Sequence, residues 1–276
     1  MRNHLKHKKR IIIKIGSSSL THKESGHINF QKIEHLVRAL CDLKNQGKDV
    51  ILVSSGAIAV GRKQMGLYEK PKSLPEKQAL AAIGQAKLMM IYEKIFSEYS
   101  QTCAQVLMTK YTVLNETNRF NAKNTLEQLL NMGVIPIVNE NDTVSTDEIE
   151  FGDNDHLSAV VTALVEGDLL ILLSDIDGMY TDDPNKNPNA TLIPVIESID
   201  EKYIHMAKNT SKSNLGTGGM AAKVDAAKIA VESGADMIIA SGEHIENIVN
   251  IINGNELGTL FVSSKNSDFD WVDYIS

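Results

Sequence analysis

The sequence predicts an α/β protein, a three-layer α/β/α sandwich around a mainly parallel sheet. Three observations predict it. Short β-branched runs alternate with longer segments of helical period, the pattern of parallel strands joined by crossover helices. Loops rich in Gly, Ser, Asn and Asp fall at the carboxyl ends of the predicted strands. No internal repeat or low-complexity linker divides the chain, so one continuous domain is expected over residues 11–263, between a basic arm at 1–10 and a polar tail at 264–276.

In chain order, Ile11-Ile12-Ile13-Lys14-Ile15 reads as a strand cut off by Gly16-Ser17-Ser18-Ser19. Ile33, Leu36, Val37 and Leu40 then share one helix face, and Asp49 to Val53 is the next strand. Pro75 to Tyr99 reads as a long helix behind an N1 proline, and Ala104 to Met108 as a strand. Thr125 to Asn131 looks helical, and Val134 to Val138 is a buried strand ending in a polar loop. Leu157, Val160, Val161, Leu164 and Val165 keep helical spacing, with Asp153 or Asn154 placed as the cap. Leu169 to Leu173, the most apolar strand, should be central and covered on both faces. A turn-rich stretch from Asp175 to Asn189 follows, then a small helix near Glu201 and a polar loop ending in glycines. A helix from Met220 to about Ser233, the strand Met237 to Ala240, and a last helix–strand pair ending near Val262 complete the domain.

The 276 residues hold 28 Lys+Arg against 35 Asp+Glu, a formal charge of −7, so nucleic acid is a poor default partner. No apolar run approaches the roughly 18 residues of a spanning helix, and no signal-peptide core follows MRNHLKHKKR. Membrane association is therefore not expected, and the location reads as cytoplasmic. Cys41 and Cys103 form neither a disulfide framework nor a metal motif, and the eight histidines offer no HxxxH or HExxH helix. The arm from Lys6 to Arg10 reads as a solvated extension.

In open α/β sheets ligands bind at the carboxyl ends of the strands. Lys14 lies just inside the first such loop on an otherwise apolar strand, and should point out of the sheet end toward solvent or an anion. Gly216-Thr217-Gly218-Gly219-Met220-Ala221-Ala222-Lys223 is a glycine-rich turn into a helix start, a second anion candidate. It also matches GxGxxG/A, but polar residues rather than a strand precede it, which weighs against a dinucleotide-binding dehydrogenase. A Walker A loop fails as well, because Lys223 is followed by Val224. Asp142 in Asn139-Glu140-Asn141-Asp142 and Asp155 in Gly152-Asp153-Asn154-Asp155 share the strand-end face with Lys14, whereas Asp153 is better explained as a cap. Asp175 and Asp177 follow the central strand with a spacing that fails the calcium-loop pattern.

Taken together, Ile13-Lys14-Ile15-Gly16-Ser17-Ser18, Val53-Ser54-Ser55-Gly56-Ala57-Ile58-Ala59, the Asn139–Asp142 and Gly152–Asp155 elements, Ser174 to Tyr180 and the late glycine loop resemble the amino-acid kinase family. The resemblance runs from Arg10 to about Val262. Its SSGAIA, NEND and GDND elements point to the branch acting on free glutamate, with the acetylglutamate, aspartate and uridylate kinases as alternatives. The resemblance implies MgATP-dependent phosphorylation of the γ-carboxylate of L-glutamate, the first step of proline synthesis. It further implies Lys14, Lys223 and Asp155 as catalytic residues, the lysines holding the transferring phosphoryl group and Asp155 orienting them. Ser55, Asp142 and Asn154 would contact the amino acid. Lys14, Ser174, Asp175, Thr217, Gly218, Gly219, Met220, Ala221, Ala222 and Lys223 would contact ATP. Magnesium is expected on phosphate oxygens and water, with no protein ligand. Proline as feedback inhibitor, a downstream γ-glutamyl phosphate reductase and a homo-oligomer are the implied partners. Many bacterial relatives continue into a small C-terminal module resembling those of RNA-modifying enzymes, which is expected to be absent here.

Overall fold

The computed structural model describes residues 2–22, 24–145, 151, 153–210 and 219–276, apart from the side chains of 208–210. The chain divides into two compact units, Met1–Lys14 with Gly152–Ser276, and Ile15–Phe151. The strand β1 (Arg10–Ile15) gives the first unit all but its last residue, and Ile11, Ile12 and Ile13 on it are fully buried.

The second unit begins with α1 (Ser17–Leu20), a helical turn where the sequence reading has only a loop. The amphipathic α2 (Phe30–Asn45) follows, buried along Ile33, Leu36, Val37 and Leu40, and capped by the Asn29 side chain. β2 (Asp49–Ser54) leads through Gly56 into α3 (Ala57–Gln64). Gly56 has φ +109° at that N-cap, a left-handed conformation that an L side chain would strain. The long α4 (Leu74–Glu98) starts one residue before the predicted Pro75, with Ser73 as its cap. It crosses α3 with backbones in contact: a Cβ on Gly84 would lie 1.7 Å from the Ala57 carbonyl oxygen. Next come β3 (Cys103–Met108), α5 (Lys110–Leu114), α6 (Glu116–Asn131) and β4 (Ile135–Glu140). The helix read as Thr125–Asn131 thus begins nine residues earlier, because Asn115 caps it and its first turns are polar. β4 lies between β3 and β2 and is parallel to both. Side chains alternate across a strand, so the burial of every β4 residue means both of its faces are covered. Cys41 on α2 is buried and Cys103 on β3 is half-buried, both as free thiols. Burial pushes each up to about 11.

The first unit continues with α7 (Asn154–Leu164), β5 (Leu169–Ser174), the short β6 (Val195–Ile196), α8 (Glu201–Thr210), α9 (Met220–Ser233), β7 (Asp236–Ser241), α10 (Asn247–Ile252), β8 (Thr259–Phe261) and α11 (Trp271–Ile275). Its strand order is β1-β5-β7-β8-β6. β5 and β7 are parallel and buried at every position, which makes β5 the central, doubly covered strand that its composition predicts. Among the described pairings of this unit, β8 pairs antiparallel with β7, and β6, parallel to β8, runs with it. Each unit is thus a mainly parallel sheet covered by helices, the predicted α/β/α layering. Among the described residues no helix is long and apolar enough to cross a membrane.

Both chain ends differ from their sequence reading. Lys6, His7 and Lys9 are exposed as a solvated arm requires, yet the arm is docked through a 3-10 turn at Asn3–His7. Leu5 is fully buried, Lys8 pairs with Asp236 at 2.8 Å, and the buried Arg2 donates to the carbonyls of Pro194, Leu257 and Gly258. The tail carries α11, capped by Asp270, and its Tyr274 hydroxyl donates to Asp225.

Candidate active site

Three elements of the first unit bring three charged side chains together. β1 carries Lys14, the first turn of α7 carries Asp155, and the first turn of α9 carries Lys223. Lys14 Nζ lies 2.5 Å from Asp155 Oδ1, and Lys223 Nζ donates to Oδ2 at 2.9 Å. None of the three is more than 8% exposed, so the ion pairs are largely desolvated. Of the two destinations the sequence reading allows Lys14, solvent or an anion, it meets the anion: the Asp155 carboxylate pairs its charge inside the protein. Burial would raise the Asp155 carboxyl, but Lys14 and then Lys223 outweigh it and hold the group below the ordinary carboxylate range. Two ammoniums against one carboxylate leave one net positive charge. That donor set suits phosphate oxygens.

Local sequence places these groups. Asp153 is the N-cap of α7, as its pattern predicts: its Oδ1 accepts the backbone N–H groups of Asp155 and His156 at 3.1 and 3.0 Å. Asp155 is fixed one residue into the helix by that cap. Gly219 begins α9 in extended conformation with no capping side chain, and Met220, Ala221 and Ala222 form the turn that ends at Lys223. Gly152, Gly216, Thr217 and Gly218 lie outside the described residues. α8 is the last described element before that loop. Ser174 closes β5 and is buried, its hydroxyl donating to the exposed Asp175 at 3.0 Å. Asn154 is the first residue of α7 and half-buried.

In the second unit, Ser55 follows β2, its N–H donating to the Ile15 carbonyl at 3.1 Å. Asp142 lies in the turn after β4, on a cavity of about 270 Å³ that Ala57, Gln85, Gln105 and Glu140 also line. Glu140 accepts from the Ser145 hydroxyl and the Phe151 N–H, both at 3.1 Å, and Asn139 donates to Gln85 at 3.0 Å. Sequence reasoning missed Gln85. The signal was available, since it is the one polar residue in Leu80-Ala81-Ala82-Ile83-Gly84-Gln85-Ala86. It also passed over His156, which stands three residues after a cap aspartate and so on the same side of the helix start. Among the described residues no group of three or more His, Cys, Asp or Glu side chains is gathered as a metal site.

Residues 9–241 match the model of the amino acid kinase family, well over half of the chain. The chain belongs to the amino acid kinase family. Among members of that family, the glutamate 5-kinase of Carboxydothermus hydrogenoformans is 54% identical over 265 residues, 96% of this chain and 71% of that protein. The glutamate 5-kinase of Clostridium acetobutylicum is 53% identical over 92% of this chain and 94% of its own, and that of Clostridium perfringens 49% over 96% and 99%. Among solved structures, the T. acidophilum isopentenyl phosphate kinase product complex superposes with a TM-score of 0.63 at 20% identity, covering 92% of this chain and all of that one. The UMP kinase of Bacillus anthracis gives 0.62 at 14% identity over 93% and 97%. At those identities the likeness concerns the amino acid kinase fold alone. Family membership makes the chain a kinase.

Proposed function

We propose that this chain transfers the γ-phosphoryl group of ATP to the γ-carboxylate of L-glutamate, forming γ-glutamyl phosphate for proline synthesis. The observation that carries the reading is the buried pair of ammoniums, Lys14 and Lys223, on the single carboxylate of Asp155. Identities of 48–54% to glutamate 5-kinases over nearly the whole chain select the substrate.

Phosphoryl transfer demands positioned charge more than a nucleophilic side chain. A glutamate γ-carboxylate is already ionised at neutral pH, so it attacks phosphorus without a general base. One carboxylate oxygen forms the new P–O bond as the bond to the bridging oxygen breaks, and that electron pair leaves with ADP. Lys14 and Lys223 oppose the charge on the transferring group. Asp155, held ionised by both, orients them and accepts no proton. Magnesium carried by the nucleotide's phosphate oxygens and water adds further neutralisation. The start of α9 from Gly219 to Lys223, with Thr217 and Gly218 before it, contacts the phosphates, and Ser174 and Asp175 contact the nucleotide.

Ser55, Asp142 and Asn154 hold the amino acid: the carboxylate of Asp142 suits an α-ammonium, and the serine and amide suit carboxylate oxygens. Proline, with the same α-carboxylate beside a cationic nitrogen, competes there as feedback inhibitor. A reductase consumes the labile acyl phosphate, the chain works as a homo-oligomer, and its place is the cytoplasm. The test is L-glutamate-dependent release of ADP from MgATP together with capture of the product by hydroxylamine as the hydroxamate. ADP release indifferent to glutamate, or without hydroxamate, would overturn the reading.

A further inference from the structure

The helices that supply Asp155 and Lys223 are joined by a second polar tie. His156 Nε2 lies 2.7 Å from Asp225 Oδ2 on α9, and its Nδ1 lies 3.0 Å from Asp153 Oδ1, the atom that caps α7. Carboxylates only accept, so both ring nitrogens donate and the ring is an imidazolium. Burial would lower this histidine, but hydrogen bonds to Asp153 and Asp225 push it up to about 10. A cation in the first turn of a helix works against the helix dipole. Its presence there is explained by the two carboxylates: without the ring between them, Asp153 and Asp225 would face each other as like charges, one on each helix start.

Lys223 and Asp225 stand about 200° apart around α9, and Asp155 and His156 about 100° apart around α7. Two ties at different angles fix the rotation of each helix as well as their separation. A cavity of about 430 Å³ opens beside the tie, lined by His156 and Asp225 themselves together with Ile199, Ile204 and Tyr274. The tie continues outward, since Asp225 Oδ1 accepts the Tyr274 hydroxyl and Lys228 sits 4.9 Å from the Tyr274 ring centre.

We propose that His156 is a positioning residue that, by bridging Asp153 and Asp225, sets the register of the α7 and α9 starts and so holds Lys223 where transfer requires it. The proposal rests on the reading of Lys223 and Asp155 as transfer groups. The wild-type rate with L-glutamate is measured first and tests that reading by itself; variant-to-wild-type ratios then test only the positioning role. H156A should lower kcat about tenfold while the glutamate KM stays within twofold, and H156Q, which keeps one donor, should recover part of the loss.

D225N supplies the readout that a merely structural tie would not move. Besides Asp225, the charged and titratable groups around His156 are Asp153 on α7, Lys228 on α9 and Tyr274 on α11; with Asp225 neutral, the ring loses one of its two anionic partners. Its kcat should then acquire a new inflection at lower pH than the native ring's, falling as pH rises and matching the ring titration followed by NMR. The wild type should show none below about pH 9. H156A with kcat within twofold of wild type and only a lower melting temperature would overturn the proposal. So would a D225N kcat profile that stays flat while its ring titrates, and that measurement stands even where H156A fails to fold.

Discussion

Asp155 is the residue on which the candidate site turns, because it is almost wholly buried and answers two cations at once. Lys14→Ala leaves it paired with Lys223, so the fold should persist while kcat falls roughly 10²–10³-fold, as for loss of one preorganised charge in a transition state. Steady-state kinetics on the folded variant check this. Asp155→Asn leaves two buried ammoniums facing an amide. It should cost about 3–5 kcal/mol in denaturant unfolding and lower kcat evenly from about pH 6 to 9, since no proton transfer is lost. The folded pKa of Asp155 is depressed, so its contribution to stability is present above the ordinary carboxylate pKa and is lost as pH falls through the folded value. The sequence showed which residues to suspect: Lys14 stood on an otherwise apolar strand, Lys223 closed a glycine-rich turn into a helix, and Asp155 ended the GDND element that carries the family resemblance. That the three meet was not readable from spacing: they lie on separate elements, and only tertiary packing brings Asp155 and Lys223 together across |i−j| = 68.

Elements were legible where a period or a helix-start residue stood out. α2 was read from its buried stripe, α4 from Pro75 and α7 from its stripe with Asp153; the capping side chains of Asn29 and Ser73 are what the structure adds. α3 was missed and α6 shortened, because α3 is brief and the early turns of α6, Glu116 to Lys123, show too few apolar residues to display a period. The closest packing of all, α3 against α4, depends on atoms that are absent and so leaves little periodic trace. Gly84→Ala would place a Cβ 1.7 Å from the Ala57 carbonyl oxygen, forcing the two helices apart. The expected cost is about 1–3 kcal/mol, seen as a lower urea midpoint at unchanged m-value.

At the scale of the whole molecule, the passage between the two units was invisible in the sequence. The chain changes unit at Lys14–Ile15 within a strand and at Phe151–Gly152 just before the Gly152–Asp155 element, where composition does not shift. The arm was misread for a related reason. Its lysines and histidines set its average polarity, while Arg2 and Leu5, which anchor it, are two residues among ten. Arg2→Ala should strand three carbonyl acceptors, those of Pro194, Leu257 and Gly258, each charged hydrogen bond being worth about 1.5–3 kcal/mol. Calorimetry should show a clear fall in melting temperature, with the exposed Lys9→Ala unchanged as the control.

Cys41 and Cys103, both in the second unit and both pushed up to about 11, make the native protein a poor target for alkylation. At pH 8 only on the order of one thiol in a thousand is the reactive thiolate, and Cys41 is enclosed besides. Iodoacetamide uptake therefore works as a clock for opening of that unit, without any introduced label. Trp271, the one tryptophan of the sequence, lies on α11 in the first unit, so its fluorescence times the other event. Followed together in mild denaturant, the two clocks should coincide if the protein unfolds as one cooperative body. Alkylation that runs ahead of the fluorescence change would show the second unit opening while the first stays folded.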